Sequence, residues 1–108
     1  MATAAVLTDI GKLIETDPQI RGGKPCIAGT GVSVHRISIW YNLGHPPEEI
    51  ARRIGHINVG QVYAALTYYF ANREMIDAEI AEEEAEGDRL EREYLASRKN
   101  QNESTSLS

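Results

Sequence analysis

Residues 33–71, SVHRISIWYNLGHPPEEIARRIGHINVGQVYAALTYYFA, divide into three apolar-periodic segments separated by two short turns. Ser33 stands where an N-cap belongs, because its side-chain oxygen can accept a first-turn backbone N–H. The spacing predicts a helix over 34–43, with Val34, Ile37 and Trp40 or Tyr41 on one face and Gly44 as its stop. His45-Pro46-Pro47-Glu48-Glu49 then opens a short second helix. Proline in a first turn sacrifices no useful hydrogen bond, and the two glutamates complement the positive end of the helix dipole. Ile50, Ala51 and Ile54 form its apolar stripe, and Gly55 ends it. Asn58 caps a third helix through Val59, Val62, Tyr63, Leu66, Tyr69 and Phe70, which Asn72 ends or bends. Each helix is too short to persist alone, so the three must share one core. The expected core is Ile37, Trp40, Ile50, Ile54, Val62, Ala65, Leu66 and Tyr69. Gly60, Gln61, Ala64 and Thr67 are then expected to face outward.

Upstream, Asp17-Pro18 marks a turn, since the residue before a proline is driven away from helix. Gly22, Gly23, Pro25, Gly29 and Gly31 crowd the next segment and preclude a regular helix there. Ile14 and Cys26-Ile27 can pair across it as a small hairpin. Gly22-Gly23-Lys24-Pro25 superficially suggests a phosphate loop. Pro25, however, lacks the N–H that the following helix would offer, so a glycine-rich turn is the better reading.

Downstream the character changes. The chain has 108 residues and a net charge of −5, but the charge is unevenly placed. Residues 1–71 carry six basic and five acidic side chains, whereas the remainder carries five basic and eleven acidic ones. The predicted organisation is a β element plus trihelical domain over 1–72, an acidic amphipathic helix over 73–99 and a disordered tail over 100–108. Within the acidic segment Ile76, Ile80, Leu90 and Tyr94 sit at heptad-like positions, but Glu83 and Gly87 interrupt the seam and argue against a continuous coiled coil.

With 42% hydrophobic and 25% charged residues, the composition is that of one folded domain with an appendage. No apolar run approaches the ~20 residues of a membrane helix, and residues 1–10 lack the pattern of a secretory signal. A single cysteine, Cys26, precludes an internal disulfide and suits a reducing compartment, so a cytoplasmic location is expected. Cys26 and the histidines 35, 45 and 56 show no metal-ligand spacing, and Cys26 reads as a small buried apolar residue. No catalytic, cofactor or metal site is expected.

The order Ile14-x-x-Asp17-Pro18-x-Ile20-x-Gly22-Gly23-Lys24-Pro25-x-Ile27-x-Gly29-Thr30 resembles the signature of the domain of unknown function 433 family. Val34, Ile37, Gly44-x-x-x-Glu48-Glu49-Ile50-Ala51 and Val62-x-Ala64-Ala65-Leu66-x-Tyr68-Tyr69 extend the resemblance, which covers roughly 14–80. It implies an all-α, homeodomain-like trihelical helix-turn-helix core with a short N-terminal β-hairpin and a C-terminal acidic helix. It also implies a bacterial antitoxin role, often beside a PIN-like nuclease toxin. Two departures stand out: Gly31 replaces the family's usual arginine, and Pro46 replaces its usual Ser or Thr cap.

The expected function is accordingly non-enzymatic: neutralisation of a toxin by protein–protein binding, in a homodimer. Tyr68, Met75, Ile76, Glu79, Ile80, Glu83 and Glu86 are the expected toxin-facing residues, with Tyr69 and Phe70 completing the core. The alternative is a DNA-binding autoregulator. Gln61 and Thr67 would then read bases, while Arg36, Arg52 and Arg53 met phosphates. The outward face of the third helix has no arginine or lysine, so DNA is the weaker reading.

Overall fold

A computed structural model describes residues 9–107, with backbone alone over 101–107. Among them lie two short strands, β1 (Ile14–Glu15) and β2 (Cys26–Ile27), two single-turn 3-10 helices (Ile10–Lys12 and Arg21–Gly23), and four α-helices, α1 (Val34–Asn42), α2 (Pro47–Ile54), α3 (Val59–Ala71) and α4 (Arg73–Leu107). The chain divides into two units, residues 1–73 and 74–108. Residues 1–8 of the expected 1–72 domain lie outside the described residues.

The first unit is a three-helix core with a small β element. β1 and β2 pair antiparallel, Ile14 opposite Ile27 and Glu15 opposite Cys26. β2 is also held on its other side, where the Ile27 N–H donates to the Val32 carbonyl at 2.8 Å and the Val34 N–H to Pro25 at 2.9 Å. These bonds place Cys26 and Ile27 beneath the start of α1, and both are buried. The connecting loop consumes its own amides. The Gly23 N–H donates to Ile20 at 3.1 Å and the Lys24 N–H to Arg21 at 3.3 Å, leaving neither for a phosphate. Gly22 and Gly23 adopt φ of 65° and 86°, a region that glycine enters without a Cβ penalty.

α1 begins as its cap predicts: the Ser33 hydroxyl accepts the Arg36 N–H at 3.0 Å. α2 has no side-chain cap, because Pro46 occupies that position, and Gly55 closes it at φ 90°. α3 carries a full capping box, in which Asn58 Oδ1 accepts the Gln61 N–H at 2.9 Å and Gln61 Oε1 accepts the Asn58 N–H at 2.8 Å. Ile27, Val34, Ile37, Ile50, Val62, Ala65 and Tyr69 are buried where the helices and β2 converge. Each large aliphatic side chain removed from water there is worth about 1.5–3 kcal/mol. Tyr69 keeps its hydroxyl satisfied at the core's edge by accepting from Asn42 Nδ2 at 3.0 Å.

The core differs from expectation in identifiable places. Val32 and Ile57, in the turns before α1 and α3, are buried, whereas Trp40 and Ile54 are half-buried. Ala64 is buried rather than outward. Phe70 is 48% exposed rather than core, while Tyr68, the expected exposed anchor, is half-buried. A periodic pattern fixes the arc of apolar residues on α3 but not which part of that arc its neighbours cover.

In the second unit, α4 runs through Gly87 and past Asn100 without a break. The helix assignment extends to Leu107, and Ser108 lies outside the described residues. Polar Gln, Asn and Ser lower helix propensity only modestly, and no proline follows to stop the helix. Every residue over 81–100 is exposed. No helix among the described residues is long and apolar enough to cross a membrane.

Candidate interaction faces

Where α1, α2 and α3 meet the surface, Tyr41, Pro47, Tyr63, Leu66, Thr67 and Phe70 line an open groove of about 480 Å³. Helical spacing builds it: Tyr63, Thr67 and Phe70 fall at i, i+4 and i+7 along one stripe of α3. Tyr41 meets the Phe70 ring edge-on, with centroids 5.7 Å apart, a favourable aromatic geometry. Thr67 offers no free donor, since its hydroxyl already donates to the Tyr63 carbonyl at 2.9 Å.

Charged side chains stand beside two of its aromatic rings. The Tyr63 hydroxyl donates to Glu48 Oε1 at 3.4 Å. The negative charge of Glu48 raises the Tyr63 pKa above that of an ordinary phenol, with desolvation adding to the effect. The Arg73 guanidinium stacks over the Phe70 ring, 5.7 Å from its centroid.

The residues expected to meet DNA do not form one basic face. Gln61 is half-buried, and its side-chain oxygen is engaged in the α3 capping box, where it accepts the Asn58 N–H. Arg53 reaches back to Glu49 at 2.8 Å, and this bond holds the Glu49 carboxyl below its usual pKa, with help from His45. Arg36 lies over the Trp40 ring at 5.3 Å. Arg52 is exposed, but it shares its surface with Glu48 and Glu49. Thr67 is exposed within the aromatic stripe.

The acidic unit offers a different surface. Residues 74–88 contain eight acids and no basic side chain. Of the residues expected to face a toxin there, Met75 is 49% exposed, Glu83 and Glu86 are exposed, and Glu79 and Ile80 are half-buried. Ile76 is fully buried, so it leaves the expected contact surface. Arg89 bridges Glu86 and Glu93, the latter at 2.8 Å, one helical turn to either side.

The chemistry elsewhere is quiet. Burial, the dominant cause, raises the Cys26 thiol above its ordinary pKa, which makes it a poor nucleophile at neutral pH. Among the described residues no group of three His, Cys, Asp or Glu side chains is placed to hold a metal ion. Gly31 takes φ of 70° where an arginine would be strained, and its carbonyl accepts from Arg21 Nε at 3.2 Å.

Comparison with known proteins places this geometry in a family. Residues 14–69 match the model of DUF433, described as a protein of unknown function. The crystal structure of a DUF433 member protein from Anabaena variabilis ATCC 29413 is similar, at 30% identity and a TM-score of 0.60. The alignment covers 65% of this chain and 69% of that one. No curated protein matches the chain.

Proposed function

This chain belongs to the DUF433 family, and from that premise we propose that it acts by protein recognition. In this reading it is a non-enzymatic, antitoxin-like subunit that self-associates and neutralises a nuclease-type toxin. The observation that carries the proposal is α4, whose residues 81–100 are all exposed and whose residues 74–88 hold eight acids and no basic side chain. A helix whose surface is largely polar, and whose Leu90, Tyr94 and Leu95 are open to solvent, gains little from its own packing and suits a role as a ligand for another protein. Its acids, with Met75 and the half-buried Ile80, complement the basic groove with which a nuclease holds its substrate. An acidic helix in that groove would exclude a phosphate backbone by both charge and volume.

A transcriptional role has less support. The outward stripe of α3 is aromatic, Gln61 is engaged in a cap, and the exposed cations of α2 lie among glutamates. Phosphate contacts dominate affinity for DNA, and that surface supplies few.

Co-expression with the product of the adjacent gene tests the proposal. A complex that copurifies, dissociates at high salt and restores growth is the expected result. Charge reversal at Glu83 and Glu86 should weaken it, and the absence of both complex and rescue would count against the reading. DNA binding is tested in parallel: a low-salt mobility shift on the protein's own promoter, lost on Arg52→Ala with Arg53→Ala, would favour the alternative.

A further inference from the structure

The exposed side of α3 has a polarity that its sequence position alone does not disclose. Gly60, Tyr63, Thr67 and Phe70 are spaced three, four and three apart, the repeat by which one helix packs lengthwise on another, and all four are exposed. An acid stands at one end of this stripe, Glu48 at the Tyr63 hydroxyl. A base stands at the other, Arg73 over the Phe70 ring. Each end also carries a half-exposed aromatic ring, 50% for Tyr63 and 48% for Phe70.

A two-fold axis through the middle of such a stripe exchanges its ends. Laid antiparallel on a second copy, Tyr63 meets the other Phe70 and Glu48 meets the other Arg73. A parallel arrangement would instead set acid against acid and base against base. Complementarity to itself under rotation is the requirement of a symmetric dimer interface. The centre of the stripe is permissive too. Leu66 is buried beneath it, and Thr67 has its hydroxyl bonded to its own helix, so pairing there would strand no donor.

We propose that the α1–α3 groove is a homodimer face, in which the α3 helices of two copies pair antiparallel. Phe70 of each copy packs on Tyr63 of the other, within the groove walled by Tyr41 and Pro47. Glu48 and Arg73 close the two ends as reciprocal intermolecular ion pairs. This rests on the self-association part of the proposed function and is independent of toxin binding. Glu48 disfavours a nucleic acid at the same place, and the aromatic rings favour a protein.

Sedimentation velocity and light scattering of the full chain across micromolar to submillimolar concentrations test the face. The wild type should rise from 12.0 kDa toward twice that mass. Phe70→Glu should raise the dimer dissociation constant about a thousand-fold, since each dimer loses two interface hot spots of about thirty-fold each, with an unchanged circular dichroism spectrum. Glu48→Lys and Arg73→Glu should each weaken the dimer, and the two together should restore it. That rescue decides the matter if Phe70→Glu does not fold. A wild type that stays monomeric, a dimer indifferent to Phe70→Glu, or single and double charge variants that behave alike would overturn the proposal. Toxin capture is scored separately on Phe70→Glu and Glu48→Lys, which leave α4 unaltered, so either idea can fail alone.

Discussion

Replacing Gln61 distinguishes a capping role from a base-reading role. Its side-chain oxygen accepts the Asn58 N–H at 2.8 Å while Asn58 accepts the Gln61 N–H at 2.9 Å. A cap of this kind is worth about 1 kcal/mol per partner, somewhat less at a solvent-exposed site. Alanine recovers a small amount through its better helix propensity. Gln61→Ala should therefore cost about 0.5–1 kcal/mol and Asn58→Ala about 1 kcal/mol. The double variant should cost less than the sum by about 0.5 kcal/mol, since neither bond survives well without the other. In a domain of this size such a loss lowers Tm by about 4–8 °C per kcal/mol. Urea unfolding followed by Trp40 fluorescence reports the body rather than the long helix. Gln61→Glu is the informative control, because glutamate completes the same box and also favours the helix N-terminus. It should leave stability intact, whereas a carboxylate in place of a base-reading amide would abolish DNA binding. An unfolding midpoint unmoved by Gln61→Ala, or lowered as far by Gln61→Glu, would refute the reasoning.

Further consequences can be measured on the same protein. Ile37→Ala, in a fully buried position on α1, should cost about 2–5 kcal/mol in the same unfolding assay and leave Trp40 fluorescence less cooperative. Gly55→Ala should destabilise by at least about 1 kcal/mol although a Cβ there meets nothing, because φ of 90° is itself the obstacle. Glu49 is bound by Arg53 and its pKa is lowered, so its stabilising contribution is complete above the ordinary carboxylate pKa and is lost as pH falls through the lowered value. Glu49→Gln should flatten that acid limb of the stability curve, measured between about pH 5 and 3. The Cys26 pKa is raised, so alkylation of the native chain should be slow compared with the unfolded chain. Stability should also decline as pH rises from the unfolded thiol's pKa through the higher native value, and Cys26→Ala should remove that decline.

The helices were legible in the sequence because their punctuation is local. Ser33, Pro47, Gly55 and Asn58 act within one turn of themselves, and α1, α2 and α3 begin and end within a residue of where they predict. The Ile14–Ile27 pairing was likewise recoverable from apolar residues either side of a glycine-rich loop. What depends on a neighbouring element was not. Phe70 and Ala64 exchange places relative to expectation because α1 and α2 cover one side of α3's apolar arc and leave the other exposed. Gln61 and Arg53 looked like hands free for a ligand, yet each is held by a residue three or four positions away. The N3 position of Gln61 after Asn58 was the available signal for the first, and Glu49 at i−4 for the second. The buried Ile76 had no such signal, since its stripe continues through exposed residues.

Because no side chain over 81–100 is buried, that length of α4 draws its order from backbone hydrogen bonds and a few surface ion pairs such as those of Arg89. Its opening is a local event, little affected by how firmly the three-helix core is closed. That exposed length of α4 and the three-helix core consequently have separate clocks. A protease or unfoldase that grips an opened helix can start on α4 while the body remains native, and mutations that harden the core will not lengthen that wait. A companion bound along α4 would slow it, coupling the lifetime of the chain to its occupancy.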